Sequence, residues 1–382
     1  MTINPRKIEF FNRESETAEI KNILESEPRL ITFIYGPINS GKTYLIQKLV
    51  DDLPKDKYAV FYINLRGKLI KEYGGFVRVL FKVKRKKISE KLTEKGEKLA
   101  KKAIVLAGRY LSGIPIEKDM LDGFLDAEST EDVFEFLEEY FLKISETKIP
   151  ILIIDELQVI GDLKINGKAI YKLFNFFIRL TKELHVCHVF ALSSDSLFIE
   201  RVYNEAILKD RCTYLLIDNF DEETTKKFLK KYNFSGKEQE NVYNNIGGKP
   251  AHLLGIIDAK NRGGDVITET EAMLESRKKE IKDTMRKLKR FGSEITYNEV
   301  PYKVDYNDVI STLKMFGEKD KILDDDIDEV TKMYLVKNNI LFAECVNETI
   351  KPQSKLDLLA IREILGELNT KDYSQSADFL HY

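Results

Sequence analysis

The 382-residue chain has no tryptophan, only three cysteines and almost no net charge. Cys187, Cys212 and Cys345 are odd in number, far apart and form no C-x-x-C pair. They exclude a disulfide framework and point to a reducing, intracellular setting. The formal net charge of -2, from 61 basic and 63 acidic residues, gives the molecule no basic field. That argues against a general nucleic-acid coat protein and leaves a local basic face open. No run reaches the ~18 apolar residues of a membrane span. The start, Met1-Thr-Ile-Asn-Pro-Arg-Lys, lacks the apolar core of a signal peptide. The expected location is the cytoplasm. His185, Cys187 and His188 cluster, but they lead into Val189-Phe-Ala-Leu192 with no second ligand pair nearby. A strand start explains them better than a metal site.

What is present is the composition of a folded protein, 32% charged and 43% hydrophobic, long enough for two or three domains. Residues 13 to 26 read as a helix. Leu30-Ile-Thr-Phe-Ile-Tyr35 reads as a buried strand ended by Gly36-Pro37, and Thr43 to Leu53 as the helix that follows. Tyr58 to Asn64 is a second strand, and residues 68 to 145 look mainly helical. Inside them Lys82 to Lys102 is strongly basic: a solvated helix or mobile insertion, or else a docking surface for an acidic partner or nucleic acid. Ile149-Pro-Ile-Leu-Ile-Ile-Asp155 is apolar throughout, as a central parallel strand buried on both faces must be. A helix is expected from Lys168 to Glu183, then strands at Val186 to Leu192 and Thr213 to Ile217. Strands alternating with helices predict a parallel α/β sheet.

Beyond Asp221 the pattern is helical. Helices are expected at Thr224 to Lys231, Glu238 to Ile246, Pro250 to about Lys260 and Thr268 to Arg290. Another begins Asp324-Asp-Asp326-Ile-Asp328-Glu329. A hairpin over Ile340 to Val346 and Thr349 to Pro352 precedes a last helix, Leu356 to Leu368. Helices followed by a small hairpin resemble a winged-helix domain. The expected domains are a P-loop α/β core over 1–220, a helical lid over 221–265, and a long helix with a winged-helix-like end over 266–382.

Gly36-Pro37-Ile38-Asn39-Ser40-Gly41-Lys42-Thr43 matches G-x-x-x-x-G-K-[ST] between a strand and a helix. Backbone N–H groups of such a loop, with Tyr44 opening the helix behind it, surround a phosphate. Lys42 places an ammonium on the β- and γ-phosphates, and the Thr43 hydroxyl suits Mg²⁺. Asp155 closes the apolar strand, where a carboxylate faces the ligand crevice of a parallel sheet. It is expected to hold Mg²⁺, and Glu156 to orient and deprotonate the attacking water.

Here a resemblance becomes specific. Ile151-Leu-Ile-Ile-Asp155-Glu156-Leu-Gln158 resembles the D-E-x-Q box of the archaeal ATPase family, in the STAND class of P-loop NTPases related to AAA+ and replication-initiator ATPases. Phe11-Asn12-Arg13-Glu14-Ser-Glu16 resembles its opening motif, and Gly247-Gly248-Lys-Pro250 its lid motif. The resemblance implies ATP and ADP as ligands with Mg²⁺, and no N-K-x-D guanine motif is evident. It implies Phe11, Asn12 and Arg13 beside adenine, with Gly248 and Pro250 closing the other side. It further implies Ser193 or Ser194, or Asp195 beside them, as a sensor of the γ-phosphate or water, and Arg211 as an arginine finger in cis or from a neighbouring subunit. Gly247-Gly248 also fits an ordinary helix stop, Ser194 a helix cap and Arg211 a structural ion pair. The basic stretch at 82–102 is not a feature expected of the core family.

Three functions fit these residues. The first is a regulated ATPase switch that reports its state to a protein partner, with possible self-association on ATP binding. The second is a DNA-acting ATPase using a winged helix. The third is an ATP-stabilised interaction module with little turnover. The acids at 324–329 would repel DNA phosphate if that helix entered a groove.

Overall fold

The computed structural model describes residues 11, 13–68, 70, 72–83, 111–127, 130–160, 169–204, 206–297 and 300–377. Asn12 and nearly all of the basic stretch 82–102 lie outside them. The chain forms two compact units. The first comprises Met1–Tyr35, Lys42–Ser193 and Asn204–Leu216; the second comprises Gly36–Gly41, Ser194–Tyr203 and Ile217–Tyr382.

The first unit is built on six parallel strands. These are β1 (Ile31–Tyr35), β2 (Tyr58–Asn64), β4 (Leu111–Ser112), β6 (Ile149–Asp155), β7 (His188–Ser193) and β8 (Cys212–Leu216), in the order β4-β2-β6-β7-β1-β8. β1 and β7 are buried along their whole length, so they are largely apolar on both faces rather than alternating. Pairing is in register: Tyr35 lies beside Ser193, and Asp155 lies between Asn64 and Leu192. The C-terminal ends of β1, β2, β6 and β7 therefore share one edge. Helices α1 (Glu14–Glu25), α2 (Lys42–Asp52), α3 (Tyr73–Leu80), α4 (Lys118–Ala127), α5 (Thr130–Ser145) and α6 (Ala169–Ile178) complete the unit.

Two expectations change. The stretch 68–145 is not simply helical: it carries β4 and a separate parallel pair, β3 (Phe81–Val83) with β5 (Ile114–Ile116). These strands are two or three residues long, too short for a periodicity to register. The helix expected to Glu183 changes at Arg179 into a π turn, where Thr181 Oγ1 donates to Phe177 O at 2.8 Å.

His188 sits inside β7 with Nε2 lacking a hydrogen-bond partner. Burial pushes its pKa down to about 4, whereas an unfolded histidine titrates near ~6.5. Between those values the unfolded chain binds the proton and the folded chain does not, so stability falls as pH is lowered from 6.5 to 4. The loss is up to about 3 kcal/mol for this group. A thermal melting series across that window is expected to show a fall that His188→Phe makes shallower; an unchanged slope would contradict a neutral, buried imidazole.

The second unit is helical with small sheets. It holds α7 (Ser196–Tyr203), α8 (Glu222–Lys231), α9 (Gly236–Asn245), α10 (Pro250–Asn261) and α11 (Val266–Phe291). The hairpin β9 (Glu294–Tyr297) and β10 (Val300–Lys303) follows, then α12 (Tyr306–Met315), β11 (Ile322–Leu323), α13 (Glu329–Lys337), β12 (Leu341–Glu344), β13 (Thr349–Pro352) and α14 (Lys355–Ala377). Caps are written in the sequence. Asp221, Ser235, Asp265, Asp305 and Asp328 each accept a backbone N–H at a helix start. β11, β13 and β12 form an antiparallel sheet in that order. Its core joins Met285 and Leu288 of α11 to Leu313, Leu335, Leu341, Ile350 and Ile361. The acidic helix start is corrected: Asp324–Asp326 form a 3-10 turn, Ile327 is extended, and Asp328 caps α13.

Candidate functional site

The loop between β1 and α2 turns through conformations that side chains disfavour. Asn39 has φ 63° and Gly41 φ 98°. Gly36, at φ 154°, has a second constraint: a Cβ there would stand 2.1 Å from the carbonyl oxygen of Ile217. Successive N–H groups in such a turn form an anion-binding concavity, and α2 starts at Lys42 directly behind it. Pro37 and Ile38 complete the loop; Ser40 and Lys42 are buried, and Tyr44 is exposed.

Behind the loop, the Thr43 hydroxyl donates to Asp155 Oδ2 at 2.9 Å. The same oxygen accepts the Tyr62 hydroxyl at 2.6 Å. Asp155 is 3% exposed, so its carboxylate is held by two hydroxyls rather than by bulk water. A hydroxyl and a carboxylate oxygen side by side are hard donors of the kind Mg²⁺ takes, and the residues present fit that ion.

Glu156 follows at φ 61°, left-handed for a non-glycine residue. Such a conformation costs of order 1–3 kcal/mol and persists where surroundings enforce it, often at functional sites. Its carboxylate ends a relay. Arg66 donates from Nε at 3.0 Å and from Nη2 to Oε1. Gln158 Nε2 donates to Oε2 at 2.5 Å, and Ser193 Oγ donates to Gln158 Oε1 at 2.8 Å. The hydrogen bond and charge of Glu156 raise the pKa of the Arg66 guanidinium. The relay brings Glu156 and Ser193 into one network.

Tyr62, Asn64 and Arg66 were not singled out in the sequence. Their signal was positional, since they end or follow an apolar strand just as Asp155 does. Asn64 fixes that corner: Oδ1 accepts the Arg66 backbone N–H at 2.8 Å.

The remaining positions vary. Arg13 is buried at the start of α1 and paired with Glu16 at 2.6 Å, and Phe11 is half-buried. Ser194 follows β7. The residue that caps α7 is its neighbour, Asp195, whose Oδ1 accepts the Phe198 N–H at 3.1 Å. Gly248 packs so closely that a Cβ would stand 1.9 Å from Phe220 O, and Gly247 ends α9 at φ 78°. Pro250 opens α10 as its first residue. The lid glycines thus have a packing account of their own.

Arg211 lies away from the other expected site residues, which argues against a finger in cis. Its carbonyl accepts the Ile31 N–H at 3.0 Å, beside the first residue of β1, and its Nη1 donates to Ile207 O. About 13 Å of strand separates Ile31 from Tyr35. In a parallel sheet a residue that precedes a strand lies at the opposite edge from residues that follow strands.

Comparison with known proteins identifies the family. The family described as an ATPase domain predominantly from Archaea matches residues 10–256, and the C-terminal domain of MJ1010-like uncharacterized ATP-binding proteins matches residues 268–365. An uncharacterized ATP-binding protein of Methanocaldococcus jannaschii, MJ1659, is 48% identical over 368 residues, covering 95% of this chain and 99% of its own. One from Pyrococcus abyssi, PYRAB06260, is 41% identical over 360 residues, covering 94% and 99%. The structure of a Walker-type ATPase of Pyrococcus abyssi, PABY2304, aligns with TM-score 0.58 at 19% identity, over 92% of this chain and 96% of that one. That last likeness shows a shared fold. The chain belongs to the archaeal ATPase family. Among the described residues, no helix is long and apolar enough to cross a membrane.

Proposed function

We propose that this family member binds ATP with Mg²⁺ on the 36–43 loop and hydrolyses it, acting as a nucleotide-driven conformational switch of the STAND kind. The observation that carries the reading is the Thr43–Asp155 contact of 2.9 Å next to a left-handed Glu156. Family membership and the ATP-binding relatives support it. Thr43 and Asp155 would hold Mg²⁺, which would supply positive charge to the β- and γ-phosphates. Lys42 would add its ammonium. Glu156 would take the proton of the attacking water, and Ser193 or Ser194 would report on the phosphate. Arg66 and Gln158 hydrogen-bond the Glu156 carboxylate, and slow basal turnover is the expected consequence of that pairing.

The second unit would report the state. Its order β11-β13-β12 with α12 and α13 supports reading this end as winged-helix-like, which keeps a DNA-acting reading in play. Acids at Asp324, Asp325, Asp326, Asp328 and Glu329 precede or open α13, against that helix entering a groove. The test measures Mg·ATP binding and hydrolysis by the wild type and Lys42→Ala, with and without duplex DNA. Lys42→Ala is expected to lose ATP binding. Turnover rising with DNA would favour the DNA-acting reading. Binding without turnover in any condition would favour the static module, and no binding by the wild type would end the ATP reading.

A further inference from the structure

Gln353 follows β13 and is 2% exposed. Every polar group it carries is used. Its Oε1 accepts the backbone N–H of Ile38, in the phosphate loop, at 3.3 Å. Its Nε2 donates to Leu341 O at 2.9 Å, and its backbone N–H donates to Ile340 O at 3.1 Å. Its carbonyl accepts Asn219 Nδ2 at 3.0 Å. A buried amide held at both ends has no alternative partner at low cost, because leaving either end unmade costs its desolvation.

The same hairpin holds a second segment. Ala343 of β12 donates its N–H to Ser196 Oγ at 3.2 Å, two residues beyond Ser194. One helix away, Lys332 of α13 pairs with Glu200 of α7 at 2.7 Å. The residues Leu341, Ala343 and Gln353 therefore bind both the loop 36–41 and the segment that follows the sensor strand. Gly36 adds a steric contact, since its Cα is pressed against the Ile217 carbonyl just before Asn219.

We propose that Gln353 is a positioning residue through which the β12–β13 hairpin and the phosphate loop stabilise one another. The inference rests on the ATP switch proposed above and names the route by which its C-terminal unit would sense the nucleotide. A phosphate that orders the loop fixes the Ile38 N–H, and with it Gln353 and the Leu341 carbonyl. Linkage makes the effect reciprocal: if ATP binding orders the hairpin, a hairpin held in that ordered state binds ATP more tightly.

The test is hydrogen exchange on the full chain, with ATP binding measured separately by calorimetry. In the wild type, saturating Mg·ATP is expected to slow exchange of the 341–352 amides by about 5-fold. Gln353→Met, which keeps the volume and removes both hydrogen bonds, is expected to bind ATP more weakly and show no hairpin response. Gln353→Glu gives a readout that simple packing would not move. A buried carboxyl titrates high, and its protonated form can both accept from Ile38 and donate to Leu341. The response is therefore expected to return at pH 5.5 and vanish at pH 8. If Gln353→Met does not fold, Ser196→Ala takes its place and is expected to lose the response at 341–344. Calorimetric binding with an unresponsive wild-type hairpin, or a full response in either variant, overturns the coupling and leaves the ATP reading intact. Absence of ATP binding overturns both.

Discussion

Glu156→Gln is expected to lower ATP turnover at least ~100-fold, the span that general-base catalysis supplies, while ATP affinity stays within a few-fold. In free-energy terms that is about 3 kcal/mol removed from the transition state alone. Glu156 stands at φ 61° immediately after a strand whose last residue holds the Thr43 hydroxyl. The backbone there points a side chain where an ordinary strand continuation would not. Glutamine keeps the size, and its Oε1 accepts from Arg66. With the Gln158 amide turned over, its Nε2 donates to Gln158 Oε1 while Gln158 Nε2 donates to the Ser193 hydroxyl, so the relay survives with its direction reversed while the proton acceptor is lost. Single-turnover hydrolysis beside equilibrium binding separates the two effects. Turnover within 10-fold of wild type would mean that another group activates water, and the family's D-E-x-Q reading of Glu156 would fall with it.

The phosphate loop and β6 were legible because their signals are local: a fixed glycine spacing in one case, an unbroken apolar run in the other. The helices of the second unit were legible for a related reason, since Asp221 and Ser235 sit where their side chains close the first turn. Misreadings came where neighbours along the chain compete. Five acids crowd positions 324 to 329, and composition alone does not say that Asp328 is the cap while Asp324 turns toward Lys332. Arg211 illustrates a different limit of local sequence signals. It adjoins a strand, but at the start, and the parallel register sends that end away from every residue that follows β1, β2 or β6. Arg66 and Tyr62 were invisible as site residues because their partners, Glu156 and Asp155, lie 90 and 93 residues away. Gln353, 315 residues from Ile38, has no sequence signal at all.

Long-range pairing of that kind also sets the largest expected loss of stability. Lys332 is 2% exposed, and its ammonium meets Glu200 at 2.7 Å, Asp324 at 3.1 Å and Glu329 at 2.8 Å. Burial lowers the lysine's pKa, but hydrogen bonds to Glu200 and Glu329 outweigh it and leave it raised. Glu200 is pushed up, chiefly by burial. Lys332→Met leaves three carboxylates facing one another with no cation. The expected cost is about 3 kcal/mol at pH 7, the lower end for breaking a buried pair, because Glu329 and Asp324 are partly wet. The sign with pH follows from Glu200. Without the lysine its folded-state pKa rises further above the unfolded value, so protonation favours the folded form and the deficit shrinks as pH falls from 7 toward 5. A second substitution separates charge from packing: Lys332→Met with Glu200→Leu replaces the closest ion pair by apolar volume, which is often neutral when both partners go. Urea unfolding at both pH values is the measurement. A single variant within about 0.5 kcal/mol of wild type, the usual spread for surface changes, would show that the ammonium contributes nothing net. A double variant no better than the single one would place the cost in packing between α7 and α13 rather than in unpaired charge.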